Sequence, residues 1–418
     1  MARQHHVLGV DFGTSNSAAG YLVDDEVRLV EVAPGQKTLP TTFFFDFETR
    51  ETLIGDPANQ ALLEGIDGRF MRALKRVLGT PLMHETRQIL NERVTFVDII
   101  ARFLAQIKTR AEADAGRTFT HALSGRPVVF HAVGDAREAQ AEADLRACYL
   151  AAGFHDVDFL PEPEAAAIAS GSLEHQGETG LIVDIGGGTS DFSLFRSDPF
   201  GVTILANHGV RIGGTDFDRA ISIEHVMPHL GKGGALRKVF GTGSSPVPNA
   251  IFNDLATWEK IPFVYTQKNH RMVEEMLRLA HRPDHLKRLA KVLEDRLGHD
   301  LSFAVERGKI ATNTDDARAE ISLEPIEKGF SIPLTQEGAA ATLASFAARL
   351  DGGARETLAI ANMDAAQIDR VIYVGGSSLM SLVADQMRLV FPRAEHGFSE
   401  VFTAVTDGLA IASARYGT

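Results

Sequence analysis

Two aspartates sit where they could serve one ligand. Asp11 follows the apolar run Val7-Leu8-Gly9-Val10 and precedes Gly13-Thr14-Ser15-Asn16. Asp184 follows Leu181-Ile182-Val183 and precedes Gly186-Gly187-Gly188-Thr189-Ser190. Glycine turns carrying hydroxyl residues leave backbone N–H groups unshielded, so the main chain can approach phosphate oxygens closely while Thr and Ser add donors. A carboxylate beside a polyphosphate repels it unless a cation intervenes, and Mg²⁺ takes a few carboxylates, often through water, together with phosphate oxygens. Taken singly, either turn also reads as an ordinary strand connection. The pair, with its Asp at the same offset, points to Mg-nucleotide beside Asp11 and Asp184. The sequence has no G-x-x-x-x-G-K-[ST] and no G-x-G-x-x-G between a strand and a helix, so P-loop and Rossmann sites are not supported.

The elements around these turns repeat. A second strand returns after each, over 17–23 and 192–195, so the chain reads as an internal duplication with the period of a whole domain. Two such hairpins facing each other across a cleft would bring both Asp side chains and both turns to one ligand. Helices are predicted over 135–152, ending at Gly153, and over 162–170, with Pro163 in its first turn and Gly171 at its end. Leu286, Leu289, Leu293, Leu297 and Leu301 predict one amphipathic helix over 286–301, continuing through 303–311. The Gly, Ser and Pro content of 231–249 predicts a loop. Val371-Ile372-Tyr373-Val374-Gly375-Gly376-Ser377-Ser378 repeats the strand-to-glycine pattern, and 403–415 reads as a terminal helix.

Composition narrows the class. The 418 residues carry 42 Lys+Arg against 55 Asp+Glu, a formal charge of −13, which disfavours nucleic acid as a partner. The single cysteine, Cys148, rules out an internal disulfide and a Cys-rich zinc site and fits a reducing, cytoplasmic setting, and as part of an Ala-rich helix it reads as a buried small residue. The apolar run before Asp11 is too short for a signal peptide, and no window is long enough to span a membrane. His281 and His285 are four apart, but Pro283 between them and the lack of a third ligand disfavour a metal site. Trp258, Phe263 and Tyr265 read as packing residues. Arg271, Arg278, His281, Arg282, Lys287, Arg288 and Lys291 read as a solvated helix face or a docking surface.

These residues resemble the actin-like ATPase superfamily and, within it, the DnaK-type heat-shock chaperones. Val10 to Ser17 is similar to that family's first phosphate loop, and Val183 to Ser193 to its second. Glu162-Pro163-Glu164-Ala165-Ala166-Ala167-Ile168-Ala169 resembles the connecting helix whose Glu reaches the nucleotide. The segment from Ala73 to Gly79 resembles the one that supplies the essential lysine, here Lys75. Val210 to Asp218, Glu306-Arg307-Gly308-Lys309 and Val374-Gly375-Gly376-Ser377 resemble the stretches that meet adenosine. Three departures stand out: Ile310 and Leu379 occupy positions where the family carries Arg, and Val128 to Asp135 replaces its proline switch. The sequence ends near the expected last ATPase helix, so no peptide-binding domain is expected, and the resemblance extends to the truncated YegD-like proteins.

The resemblance implies an α/β actin-like ATPase fold of two lobes, each with a ribonuclease-H-like mixed sheet and an inserted subdomain, and a nucleotide cleft between the lobes. Lobe I is expected over 1–175 with an insertion near 34–110, and lobe II over 176–418 with one near 221–300. A C-terminal helix over 403–416 would pack back toward lobe I. It further implies ATP or ADP with Mg²⁺ as cofactors, and slow hydrolysis in a switch that a protein partner or client reads, the protein being a monomer. Lys75, Glu162, Asp184, Thr189 and Asp191 are implied as catalytic. The nucleotide would contact Asp11, Gly13, Thr14, Ser15, Asn16, Gly186, Gly187, Gly188, Thr189, Gly213, Gly214, Thr215, Glu306, Lys309, Gly375, Gly376 and Ser377. Read from the residues alone, Lys75 also fits a solvated surface helix and Glu162 a helix first turn favoured by the dipole. A bacterial-actin-like filament former, a small-molecule kinase and a nucleotide-binding pseudo-ATPase scaffold are the other readings.

Overall fold

Both strand–turn–strand units form, and each heads a sheet of the same layout. The computed structural model describes residues 6–24, 26–131, 135–172, 175–198, 201–238, 242–313, 319–398 and 403–416. Parts of the expected segments 128–135 and 231–249 lie outside the described residues, as does most of the N-terminal stretch before Val7. By packing, the chain divides into one unit of Met1–Val210, Asp351–Leu379 and Ala384–Thr418, and a second of Arg211–Leu350 and Met380–Val383.

In the first unit, strands β1 (Val7–Phe12), β2 (Asn16–Val23), β3 (Glu26–Leu29), β4 (His121–Arg126) and β5 (Asp156–Pro161) form a sheet in the order β5-β4-β1-β2-β3. The short strand Leu39–Pro40 joins it beside β2. Strands β6 (Thr179–Ile185), β7 (Ser190–Asp198), β8 (Gly201–Val210), β9 (Arg370–Val374) and β10 (Glu395–Phe398) form a second sheet in the order β8-β7-β6-β9-β10. In each, three strands meander antiparallel and two more add in parallel beside the first. The duplication inferred from the two Asp/Gly turns is thus a duplication of sheet topology. β1 and β6 lie inside their sheets, and their near-continuous apolar runs are what a strand covered on both faces requires.

Helices α1 (Phe96–Ala115), α2 (Glu138–Ala151), α3 (Glu162–Ala169) and α4 (Ala404–Ala412) complete this unit. α1 starts on a capping box, with Thr95 and Asp98 exchanging side-chain and backbone hydrogen bonds, and stops at Gly116 in the left-handed region. Its Phe103 packs with Phe12 and Phe43 at ring separations of 5.8 and 5.5 Å. α3 and α4 share one core with Val7, Leu123 and Leu160 of the first sheet and Ile182, Phe195, Ile372 and Val374 of the second. The helices approach closely because the contact is Gly408 against Ala165: a Cβ added at Gly408 would lie 1.8 Å from the Ala165 carbonyl oxygen. A separate three-stranded sheet is built from Thr42–Asp46, Thr52–Ile54 and Gly68–Arg72.

The second unit is mainly helical. The leucine spacing over 286–301 predicts one helix, but two form, Pro283–Glu294 and Gly298–Ala311. Arg296 takes a positive φ of 55°, and Gly298 lies so close to Tyr265 that a Cβ would fall 2.5 Å from its hydroxyl, so the chain turns while leucines on both sides stay buried. The expected loop over 231–249 contains a hairpin, Ala235–Arg237 with Ser244–Pro246. Trp258 packs on His299 and Phe303, and Tyr265 bonds the Gly298 N–H, whereas Phe263 is 76% exposed and packs on little. His281 precedes the helix that carries His285 in its first turn, and the His285 ring faces His229. Cys148 is buried in α2. The terminal helix runs as α4 followed by a tight turn, Ser413–Arg415. Among the described residues, no helix is long and apolar enough to cross a membrane.

Candidate functional site

Strand ends deliver the acids. Asp11 stands one residue before the end of β1, and Gly13 makes the turn that follows so tightly that a Cβ would lie 2.0 Å from the Asn16 carbonyl oxygen. The Gly13 N–H donates to Ser17 Oγ at 3.2 Å, and that hydroxyl is 2.8 Å from Thr41 Oγ1. Asp184 stands at the same place in β6, before a turn closed by the Gly186 N–H donating to the Thr189 carbonyl at 2.9 Å. The two turns meet: a Cβ on Gly187 would fall 2.9 Å from Ser15 Oγ. Asp191 pairs directly with Asp184 across the β6–β7 ladder. The loop after β9 closes on the same carboxylate, for Gly375 takes a φ of 81° and a Cβ there would lie 2.8 Å from Asp184 Oδ1. Gly376 and Ser377 continue that loop as a tight turn.

Lys75 is placed on a short 3₁₀ turn, Leu74–Val77, entered through Ala73 at a φ of 57°. The surface-helix alternative does not describe it: the side chain is 9% exposed, and its Nζ donates to Glu162 Oε1 at 2.5 Å. Glu162 heads α3, and its carboxylate is committed to that ion pair.

Four carboxylates and one ammonium in a desolvated space leave unbalanced negative charge. Burial, then the Asp191, Glu162 and Asp11 charges, push Asp184 up to about 8, with Lys75 opposing. Burial and Glu162 push Asp11 up to about 7, again against Lys75. Asp191 rises to about 6 through burial and Glu162, while a Thr189 hydrogen bond, His208 and Lys75 pull it back. For Lys75 burial pulls downward, but Glu162, Asp11 and Asp184 outweigh it and leave the amine raised. The cluster's donors are carboxylate oxygens, the type a hard divalent cation takes, and a cation there would offset both the burial and the mutual repulsion that raise these acids.

The second unit gathers another group. The Gly213 N–H donates to Asp216 Oδ2 at 3.0 Å and starts the helix Gly214–Ile221, which includes Thr215. Buried Lys309 pairs with Asp218 at 2.8 Å and reaches the Gly214 carbonyl at 3.5 Å, while Glu306, on the same helix as Lys309, is exposed. Ile310 of this unit and Leu379 of the first are exposed apolar side chains.

Residues 7–236, over half of the chain, match the family model described as Hsp70 protein. The chain belongs to the Hsp70 family. It is 31% identical over 224 residues to the chaperone protein DnaK of Thermosipho melanesiensis, covering 53% of this chain and 35% of that protein. It is 32% identical to the DnaK of Thermosipho africanus (52% of this chain, 35% of that one) and 31% to that of Halobacterium salinarum (54% and 34%). The chain thus spans about a third of the length of these relatives. With the family, the two repeated sheets are those of the α/β actin-like ATPase fold with ribonuclease-H-like layout.

Sequence reasoning missed the supports of this Hsp70-type centre. Asp144 of α2, 1% exposed, accepts from the Gly79 N–H at 2.8 Å, from His84 Nε2 at 2.9 Å and from Gln140 Nε2 at 2.7 Å. His131 Nε2 donates to the Leu78 carbonyl at 2.8 Å. Both brace the chain just beyond Lys75. An acid on an Ala-rich helix reads as a solvated face, and the only signal against that is its place on the face that carries Leu145 and Cys148. Asp144→Ala leaves the buried Gly79 N–H without an acceptor, and urea denaturation is expected to show a loss of about 2–3 kcal/mol. Asp144→Asn, which keeps an acceptor, is expected to lose less.

Proposed function

We propose that this Hsp70-family chain binds Mg-ATP at the carboxylate centre of its first unit and hydrolyses it slowly, as a chaperone-like switch whose nucleotide state a protein partner or client reads. The observation that carries the proposal is the Lys75–Glu162 ion pair beside Asp11 and Asp184, under two glycine turns that meet at Ser15 and Gly187. Mg²⁺ held by Asp11 and Asp184, largely through water, would neutralise phosphate charge. The amides and hydroxyls of Gly13, Thr14, Ser15, Asn16, Gly186, Gly187, Gly188 and Thr189 suit phosphate oxygens. Lys75 stabilises charge on the terminal phosphoryl group, and Glu162 and Asp191 orient the attacking water, with Thr189 bonded to Asp191.

Gly213, Gly214, Thr215, Glu306, Lys309, Gly375, Gly376 and Ser377 enter the proposal as adenosine-contacting residues on the family resemblance. The same resemblance supports lobes over 1–175 and 176–418, a monomer, and a cytoplasmic setting. The exposed Ile310 and Leu379, standing where the family carries Arg, favour one second reading, a scaffold that binds nucleotide without turnover. Calorimetric titration with Mg-ATP and Mg-ADP, with phosphate release followed on the same samples, tests the proposal. Binding with release supports it, binding without release selects the scaffold, and no binding removes both.

A pH dependence follows from the raised acids. A carboxyl raised above its unfolded value contributes stability below that value and loses it as pH rises through the folded one, so Asp11 and Asp184 destabilise the nucleotide-free protein as pH climbs toward about 8. Melting temperature without Mg²⁺ is therefore expected to fall from about pH 6 to about pH 8.5, and less steeply in Asp184→Asn. Over the same interval Mg-nucleotide affinity is expected to rise, because protons compete for these oxygens. Equal slopes in the wild type and Asp184→Asn would contradict the assignment.

A further inference from the structure

The turn Leu74–Val77 carries a second cation that the account above does not use. Lys75 points inward to Glu162, whereas Arg76 is exposed, and its guanidinium lies along the second glycine turn. A Cβ added to Gly188 would fall 2.0 Å from Arg76 Nη2 and 3.2 Å from its Cζ. Among the described residues, no hydrogen bond or ion pair engages this guanidinium. Its neighbour Gly79 is held by Asp144 and the Leu78 carbonyl by His131, so the base of the turn that presents it is fixed.

We infer that Arg76 is a phosphate-contacting residue that selects nucleotides carrying a third phosphoryl group. The inference rests on the nucleotide reading of the site and deepens it. Lys75 is electrically committed: its charge offsets Glu162 in a cluster already rich in carboxylates. The terminal phosphoryl group, the most anionic part of a bound nucleotide, would gain from a further cation beside Lys75 and the Mg²⁺ proposed at Asp11 and Asp184. Arg76 is adjacent to Lys75 in the chain and its guanidinium reaches Gly188 of the second turn, with no ion pair to a carboxylate among the described residues. A planar guanidinium with free N–H donors suits phosphate oxygens, and it can pair with two of them at once. A side chain at Gly188 would displace the guanidinium from this position.

The test compares wild type, Arg76→Ala and Arg76→Lys in calorimetric titrations with Mg-ATP and with Mg-ADP. Because the side chain is exposed and unpaired, all three proteins are expected to melt together. Arg76→Ala is expected to lose roughly tenfold in ATP affinity, the size of one charge-assisted contact, while ADP affinity changes by less than about twofold. Arg76→Lys is expected to recover part of the loss, through charge without the fork. An unchanged ratio of ATP to ADP affinity in Arg76→Ala, with wild type binding both, overturns the role of Arg76 and leaves the nucleotide site standing. A wild type that binds neither nucleotide overturns the proposed function and this inference together.

Discussion

Lys75→Ala is expected to retain Mg-ATP while losing phosphate release by roughly 10²–10³-fold in single-turnover measurements. The amine is held at 2.5 Å from Glu162 and is kept protonated by Glu162, Asp11 and Asp184 despite its burial. On the proposed mechanism, its removal withdraws positive charge from the place where charge develops in the transition state. It also leaves the Glu162 carboxylate unpaired among three other acids, which misdirects the water that Glu162 is proposed to orient. Binding is expected to survive because the turns at Gly13 to Asn16 and Gly186 to Thr189 are proposed to hold phosphate mostly through main chain. Lys75→Arg is not expected to rescue, since a forked guanidinium does not fit the space of a buried ammonium in contact with one carboxylate oxygen. Normal release by Lys75→Ala would remove Lys75 from the chemistry.

The largest stability effect is expected at Gly408→Val. The Ala165 carbonyl oxygen already lies 1.8 Å from where the first carbon of a side chain at 408 would be, and the obstacle is backbone, which cannot swing aside. α3 and α4 would have to separate, opening the core they share with both sheets. Overpacking of ordinary cores costs roughly 1–3 kcal/mol, and this site lies at or beyond the upper end. Gly352, within the helix Gln336–Ala361, is the matched control: a Cβ there meets nothing within 4 Å. Gly352→Ala is expected to stabilise by about 0.5–1 kcal/mol through helix propensity alone. Urea denaturation of both variants checks the pair, and similar midpoints would contradict the packing argument.

How far these features were legible follows from how local their signals are. The Asp11 and Asp184 turns are written in consecutive residues, so both their pairing and the topological repeat of the sheets could be read from them. The pairing of Lys75 with Glu162 joins residues 87 positions apart, and only resemblance linked them. The leucine pattern over 286–301 was read correctly as a buried face and wrongly as one helix, because periodicity does not register a turn that keeps the phase of the apolar stripe. Asp144 and Gly408 were silent for opposite reasons: a charged residue passes for a solvated one, and a helical glycine passes for a tolerated defect. Arg76 stood beside the residue singled out, but its contact with Gly188 exists only once two distant turns are folded together.

The most direct test of the central claim is phosphate release by the wild-type protein under single-turnover conditions, with Mg²⁺ and again with the metal chelated by EDTA. The account predicts release that approaches one phosphate per bound nucleotide with Mg²⁺ and stops without it. Release no faster than from nucleotide alone, in a protein that calorimetry finds saturated with Mg-ATP, would contradict hydrolysis at this centre.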